Sequence, residues 1–525
     1  MEDSSLDGIK YQPTSRIRSI GTLLLAFVLL FSSCKVLKPG LPSPKTEFRG
    51  VWIATVVNID WPARGTDSWE KQKKDYLNLL KFYKDLNFNT VIVQIRTAGD
   101  ALYPSDLAPW SRFLTGKEGE APAADEDPLK WMIARAHEYG FEFHAWLNPY
   151  RATFDLKTEV LAQDHDYFLH PDWMIKYGKK YYYNPGLPEV RQKLVEVIAE
   201  VTARYDIDAI HFDDYFYPYR IQGENFDDQQ SFEAYADPNQ DLEDWRRSNV
   251  DSLIAQAHRS IKSHKPWVQF GISPFGVWKN NSTDPNGSDT RAGQTTFEDL
   301  YADPLVWMEK GWIDYLIPQL YWSMDLEVAS HRKLVNWWSA KVKHTNLYIG
   351  NGAYKIRNNS DKAWKRKKEL PKQLEFARSL PEVQGNAFFS AKSLLSGKED
   401  VVKHIQKRLY QKTALTPASH QKGELLNAQP EFLSQKEASN FYQLSFELHA
   451  PDQYQYALVY ATRKPEQLDT TDMNQLIAKI HLNGRSVFNL GKKLIAKKGA
   501  IAVTFLDRYR TETKSIVLHL NETRI

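Results

Sequence analysis

The sequence predicts an α/β chain: a (β/α)8 TIM barrel followed by a small C-terminal β-sandwich of fibronectin type III-like kind. Three observations carry this. Eight short β-rich runs alternate with amphipathic helical stretches, the pattern of parallel βαβ units. Beyond about Lys412 the helical stretches cease and short alternating runs with turn residues between them take over. The chain is 525 residues long, with 42% hydrophobic and 25% charged residues, which provides for more than one domain and excludes a largely disordered polymer.

In order, the predicted strands are Phe48–Val56, Thr90–Arg96, Glu142–Arg151, Ala209–Tyr215, Gln269–Val277, Asp314–Trp322, Leu347–Lys355 and Gly385–Leu394. The helical stretches between them are Trp69–Asn87, Pro128–Tyr139, Pro188–Tyr205, Asp241–Ser263, Phe297–Lys310, Val328–Lys343 and Lys372–Leu380. A doubly wound open sheet is the rival architecture. It is weakened by the absence of a Gly-rich phosphate loop after the first strand. The expected division is a barrel over residues 47–412, a polar linker over 413–438 and a sandwich over 439–525. Strands of the sandwich are expected at Phe441–Leu448, Tyr456–Arg463, Leu476–Leu482, Ser486–Leu490, Gly499–Leu506 and Ser515–Leu520.

The N-terminus reads as an address. Arg16 and Arg18 precede the apolar run Leu23–Phe31, and Ser32, Ser33 and Cys34 follow. Basic residues, a short apolar run and small residues make a secretory signal, too short for a comfortable membrane span of about 20 residues. Phe31-Ser32-Ser33-Cys34 resembles a lipobox, with Cys34, the one cysteine of the chain, as the lipidated residue. Residues 1–33 are therefore expected to be a lipoprotein signal peptide and 34–46 a tether. The membrane is then a partner through the lipid anchor. The expected location is the cell envelope, on the periplasm-facing side of the outer membrane. A charge balance of 68 − 65 = +3 is too even for a nucleic-acid footprint.

In a barrel of this kind the chemistry sits at the C-terminal strand ends. The fourth run, Ala209-Ile210-His211-Phe212-Asp213-Asp214, alternates so that Ala209, His211 and Asp213 face inward, with Asp214 at the rim. Adjacent carboxylates push their pKa values apart and yield an acid and a base from one residue type. The second run offers Gln94 and Arg96 on its inward face, then Asp100. The third offers His144, Trp146 and Asn148, then Tyr150 and Arg151. The sixth offers Gln319, Tyr321 and Trp322, and the seventh Asn351 and Tyr354. His144 and His211 fit either interior hydrogen bonding or substrate contact, and Trp146 and Trp322 fit either core packing or stacking on sugar rings. No metal or cofactor is expected. Asp284–Asp289 lacks the glycine and glutamate of a calcium loop, and no nucleophilic Ser elbow follows a strand.

Two-carboxylate glycosidases hold their acid and nucleophile about 5–9.5 Å apart on different elements. One adjacent pair favours a mechanism in which a 2-acetamido group of the substrate is the nucleophile. Glu47-Phe48-Arg49-Gly50-Val51-Trp52, Gln94-Ile95-Arg96, Gly99–Ser105, His144–Arg151, His211-Phe212-Asp213-Asp214-Tyr215 and Ile317–Trp322 together resemble the glycosyl hydrolase-like 10 family over residues 46 to 395. The resemblance implies a bacterial barrel lipoprotein, related to a divisome-localised hydrolase of peptide-free peptidoglycan strands. On this reading Asp214 is the general acid/base. Asp213 orients the acetamido group and Tyr321 hydrogen-bonds it. The substrate contacts are Arg96, Asp100, Trp146, Asn148, Tyr150, Arg151, His211, Gln319 and Trp322. Two alternatives remain open. One is a retaining α-glycosidase on acetamido-free glycans, with Asp213 as nucleophile and Asp325 as acid; the other is a non-catalytic glycan-binding lipoprotein.

Overall fold

The computed structural model describes residues 43–123, 126–420 and 429–519. The expected signal peptide, Cys34 and most of the tether lie outside these residues. Eight parallel strands close into a barrel in chain order: β1 (Phe48–Ile53), β2 (Thr90–Arg96), β3 (Glu142–Leu147), β4 (Ala209–Phe212), β5 (Gln269–Ile272), β6 (Tyr315–Leu316), β7 (Asn346–Asn351) and β8 (Val383–Phe388). One principal helix follows each strand: α1 (Trp69–Asp85), α2 (Pro128–Glu138), α3 (Pro188–Arg204), α4 (Leu242–His264), α5 (Pro304–Glu309), α6 (His331–Lys341), α7 (Glu369–Arg378) and α8 (Glu399–Arg408). The predicted barrel is the observed one.

Local chemistry starts the helices where the sequence changes character. Ser68, Asp127, Asp241 and Ser330 each accept a hydrogen bond from a first-turn backbone N–H of α1, α2, α4 and α6. Outward strand residues such as Val91, Val93, Ile95, Phe143, Ile210 and Phe212 pack under the helices in one continuous core. Inward residues form a second core on the barrel axis, from Phe48, Trp52, Ile92, Tyr315 and Tyr348. Phe48 stacks on Tyr348 with ring centroids 4.0 Å apart. Gly271 on β5 makes room for this core, since a Cβ there would lie 1.9 Å from the Tyr315 ring.

Three differences from the sequence reading have local causes. β6 is two residues long because Pro318 has no N–H to give to the ladder, although isolated bridges at Gln319 to Phe275 and Gly350 continue the register. The stretch Phe297–Lys310 divides into Thr296–Asp299 and α5, because Pro304 can only open a helix. The segment 413–438 is partly ordered structure. Leu415 pairs with Thr46 under the barrel, and Glu431–Glu437 is a strand.

That strand, β9 (Glu431–Glu437), joins β10 (Phe441–Glu447), β11 (Tyr454–Thr462), β12 (Leu476–His481), β13 (Val487–Gly491), β14 (Ala500–Asp507) and β15 (Ile516–His519) in the C-terminal module. The sheets are β9-β10-β13 and β12-β11-β14-β15, the three-plus-four layout of a fibronectin type III-like sandwich. Leu444, Phe446, Val459, Val503 and Phe505 fill the space between them. The module docks on the barrel floor, at the N-terminal strand ends. Tyr456 donates to the Phe141 carbonyl at 3.0 Å, Gln455 to Asp208 at 2.5 Å, and Arg510 grips Glu142 with two bonds of 2.6 and 3.0 Å. Burial alone would raise the Glu142 carboxyl, but Arg510 and His144 pull it down to about 2.

Candidate active site

At the opposite end of the barrel lies a cleft of about 350 Å³. Asp213 and Asp214, directly after β4, form its floor, and among its described lining residues they are the only carboxylates. Both are nearly sealed from solvent, at 6% and 4% exposure. The walls are aromatic: Trp52, Trp146, Tyr215, Tyr219, Tyr321, Tyr354 and Phe389. A larger depression of about 660 Å³ lies beside Tyr217 and Arg246, but its buried acids Asp228 and Asp299 are paired with Arg246 at 2.5 Å and Arg220 at 3.1 Å.

The two carboxylates differ in their surroundings. Gln94 on β2 accepts from the backbone N–H groups of Thr55 and Val56 at 3.1 and 2.9 Å, which fixes its oxygen. Its NH2 must then donate to the Asn148 oxygen at 2.6 Å, and the Asn148 NH2 must donate to Asp213 Oδ2, also at 2.6 Å. Asp213 Oδ1 accepts from the Tyr215 N–H at 3.2 Å. Burial raises the Asp213 pKa, and Arg151, the Tyr215 N–H and Asn148 offset part of that rise. Asp213 is thus held as an acceptor. Asp214 is pushed up to about 7, first by burial and then by the Asp213 charge, with the Tyr219 hydroxyl donating to its Oδ2. One acid holds a proton near neutrality, while its neighbour has donors aimed at both carboxylate oxygens, which favour its ionised form.

Two cleft donors lack an acceptor at full bonding geometry. The Trp146 indole N–H lies beside Asp213 without an acceptor at bonding distance and angle, and Arg151 Nε is likewise unmatched. Burial and Asp214 keep the Tyr321 hydroxyl protonated, so it too is a donor. An unpaired buried donor costs free energy until a ligand supplies the acceptor.

The structure brings Asp213, Asp214, Trp146, Arg151, Gln319 and Tyr321 to the cleft, with Asn148 directly beneath. The other expected contacts lie elsewhere. Arg96 is not in the barrel interior with Gln94. A register shift between Gln94 and Arg96 turns it to the Asp100 carbonyl and the Tyr183 hydroxyl. Asp100 folds back on its own loop, accepting from the N–H groups of Thr97 and Ala98. Tyr150 is fully buried in the layer between strands and helices, and Trp322 packs edge-on against Phe275 behind the cleft. His211 sits one layer below the cleft, bonded to Tyr315, Ser273 and Trp52 at 3.1, 3.0 and 3.2 Å. Burial and His144 hold it neutral. Four wall residues, Trp52, Tyr215, Tyr219 and Phe389, escaped the sequence reading. Trp52 was legible, since Phe48, Gly50 and Trp52 share one face of β1; Tyr219 and Phe389 lie on loops with no period to read.

A closed parallel barrel with a buried acid pair at the end of its fourth strand, under aromatic walls, defines a glycoside hydrolase-type barrel. The profile of the glycosyl hydrolase-like 10 family matches residues 47–366, and the chain belongs to that family. It is 46% identical over 375 residues to the glycosyl hydrolase YngK of Bacillus subtilis, covering 71% of this chain and 73% of that protein. It is 37% identical over 404 residues to the glycosyl hydrolase DigH of Escherichia coli, covering 70% of this chain and 91% of that protein. Among solved structures, the PgaB (BpsB) glycoside hydrolase domain of Bordetella bronchiseptica aligns with 68% of this chain and 98% of its own, at TM-score 0.46 and 12% identity. The protein is a glycoside hydrolase.

Proposed function

We propose that the chain cleaves glycosidic bonds in strands of N-acetylated sugars, with peptide-free peptidoglycan as substrate, by substrate-assisted catalysis. One observation carries the reading: the cleft's only described carboxylates are an adjacent pair in unlike surroundings, Asp213 accepting from Asn148 and the Tyr215 N–H while Asp214 is pushed up to about 7 beside it. Asp214 gives its proton to the leaving glycosidic oxygen as the bond to the anomeric carbon breaks. The acetamido carbonyl oxygen attacks that carbon and forms a cyclic oxazolinium. Asp213 accepts the acetamido N–H and balances the developing positive charge, held in place by Asn148. Water then opens the ring and returns a proton to Asp214. Tyr321, Trp146 and Arg151 supply donors to the sugar and its acetamido group.

The acetamido-free alternative finds no support in the geometry. Asp325 is exposed, pairs with Arg332 at 3.4 Å and does not line the cleft. The lipid anchor at Cys34 and the envelope location complete the proposal and rest on the sequence alone. The test is to incubate the full chain with peptide-free glycan strands and read products by mass spectrometry. Short N-acetylated oligosaccharides are expected from the wild type, and none from Asp213→Asn or Asp214→Asn. Equal cleavage of de-N-acetylated strands would refute substrate assistance. Unchanged turnover by Asp214→Asn would remove it as the acid.

A further inference from the structure

On the barrel floor, remote from the cleft, three side chains from both domains converge. His137 lies in the last turn of α2 at 1% exposure, Asp206 in the turn between α3 and β4, and His481 at the end of β12 in the sandwich. One nitrogen of each imidazole and one Asp206 oxygen lie within 4.8 Å of one another. His137 Nε2 is already committed to Asp208 Oδ2 at 2.8 Å. Its Nδ1 faces Asp206 Oδ2 at 3.9 Å, too far for a hydrogen bond. The His481 ring lies 4.8 Å from the His137 ring and 5.4 Å from that of Tyr456, and its nitrogens meet no hydrogen-bond partner among the described residues.

We propose that His137, Asp206 and His481 bind a divalent transition-metal ion of the zinc class, clamping the sandwich to the barrel floor. Two imidazoles and one carboxylate are a donor set for zinc, cobalt or nickel rather than for magnesium or calcium. The carboxylate behind His137 is the outer partner that metal-bound histidines characteristically have, and it leaves Nδ1 as the ligating atom. An ion-pair cluster of His137 with Asp206 and Asp208 has no need of His481, yet the His481 ring is placed against it with unused nitrogens. Tetrahedral zinc, with bonds of about 2.0–2.2 Å, holds its ligand atoms about 3.3–3.5 Å apart. The present spacing of up to 4.8 Å therefore contracts by up to about 1.4 Å, a movement open to the half-exposed Asp206 and His481 while Asp208 fixes His137. Any proton on His137 Nδ1 leaves to solvent as the ion binds, and water fills the remaining position. Arg508, 2.6 Å from Asp206 Oδ1, competes for the same carboxylate.

The experiment treats the full chain in detergent with chelator, dialyses it, and titrates it with zinc chloride by calorimetry. Cobalt chloride serves as a spectroscopic probe. The expected result is one zinc per chain, visible cobalt bands of nitrogen ligation, and an unfolding temperature that rises with zinc. His481→Ala, at a half-exposed position, keeps the fold and the glycosidase activity. It should weaken zinc binding by about tenfold or more and abolish the thermal shift. Arg508→Met should tighten binding. The proposal is overturned if the wild type takes up no zinc, or if His481→Ala binds zinc as tightly as the wild type; in the latter case the ligands lie elsewhere, Cys34 included.

Discussion

If Asp214 is the acid, its proton sets the alkaline limb of the pH profile, and Tyr219 sets where that limb falls. The Asp214 carboxyl sits at about 7. The protonated fraction then falls tenfold for each pH unit above that value, so kcat/KM at about pH 9 should be about a hundredth of its plateau. The Tyr219 hydroxyl donates to Asp214 Oδ2 and favours the ionised form. Tyr219→Phe removes that bond. A hydrogen bond to a charged group contributes about 1.5–3 kcal/mol, and one pH unit corresponds to about 1.36 kcal/mol, so the limb should move about one to two units to the alkaline side. Asp213→Asn removes the neighbouring charge that raises Asp214, and should move the same ionisation the opposite way. The pair titrates as a unit, so the limb is an apparent value of the pair. The assay is kcat/KM on a soluble peptide-free glycan fragment between about pH 5 and 10, with carbon-13 NMR titration of the carboxyls for the Asp213→Asn variant. A profile flat to about pH 9, or an acid-side shift for Tyr219→Phe, would refute the assignment.

The same raised pKa is a stability penalty. The unfolded carboxyl titrates near 3.9 and the folded one at about 7, so ionisation favours unfolding progressively from about pH 4 and fully above pH 7. Asp214→Asn should therefore raise stability at pH 8 by up to about 4 kcal/mol while abolishing turnover; an unfolding temperature at or below wild type would count against the burial argument. Arg510→Met leaves Glu142 buried without its cation and should cost about 3–5 kcal/mol, read by denaturant melts. Part of that loss should return in Arg510→Met with Glu142→Gln. Trp146→Phe removes an indole N–H that stands beside Asp213 and favours its charge without a bond of full geometry, and should change stability by less than about 1 kcal/mol. It removes a donor aimed at the substrate, so kcat/KM should fall about tenfold, the cost of one hydrogen bond.

Much of this geometry is legible in the sequence because it obeys a period. The alternation through β4 places Asp213 inward and Asp214 at the rim, and the apolar outer faces of β2 and β3 define the strands that carry Gln94, Trp146 and Asn148. What the sequence hides is whatever breaks the period. The register shift that carries Arg96 away from the axis has no residue signature. β9 reads as linker because an edge strand with Glu431, Ser434 and Lys436 buries too little to show alternation. α8, whose buried residues are Val401 and Ile405, is the one barrel helix absent from the predicted stretches, although its apolar residues keep helical spacing. The Glu142–Arg510 pair joins positions 368 apart, which only the folded docking of the module brings together.

Two hydrogen-bond chains explain how a barrel this apolar tolerates its buried acids. One runs from the Thr55 and Val56 N–H groups through Gln94 and Asn148 to Asp213. The other descends the axis from the Trp52 indole. That N–H can only donate, so His211 accepts at Nε2 and donates from Nδ1 to Tyr315; Tyr315 then donates to His144, and His144 to Glu142. Each chain begins at a group that can only donate and ends at a carboxylate that can only accept, so neither can reverse without stranding a buried donor. At Glu142 the chain meets Arg510 and closes in a neutralised pair. At Asp213 it meets no pairing cation at such range, and the hydrogen bonds of Asn148 and Tyr215 favour its charge next to an acid that burial and that charge push up. The floor of the barrel buries a satisfied charge, and the mouth buries an unsatisfied one. The free energy stored in that difference is released only when a substrate offers Asp213 an N–H and takes the proton of Asp214.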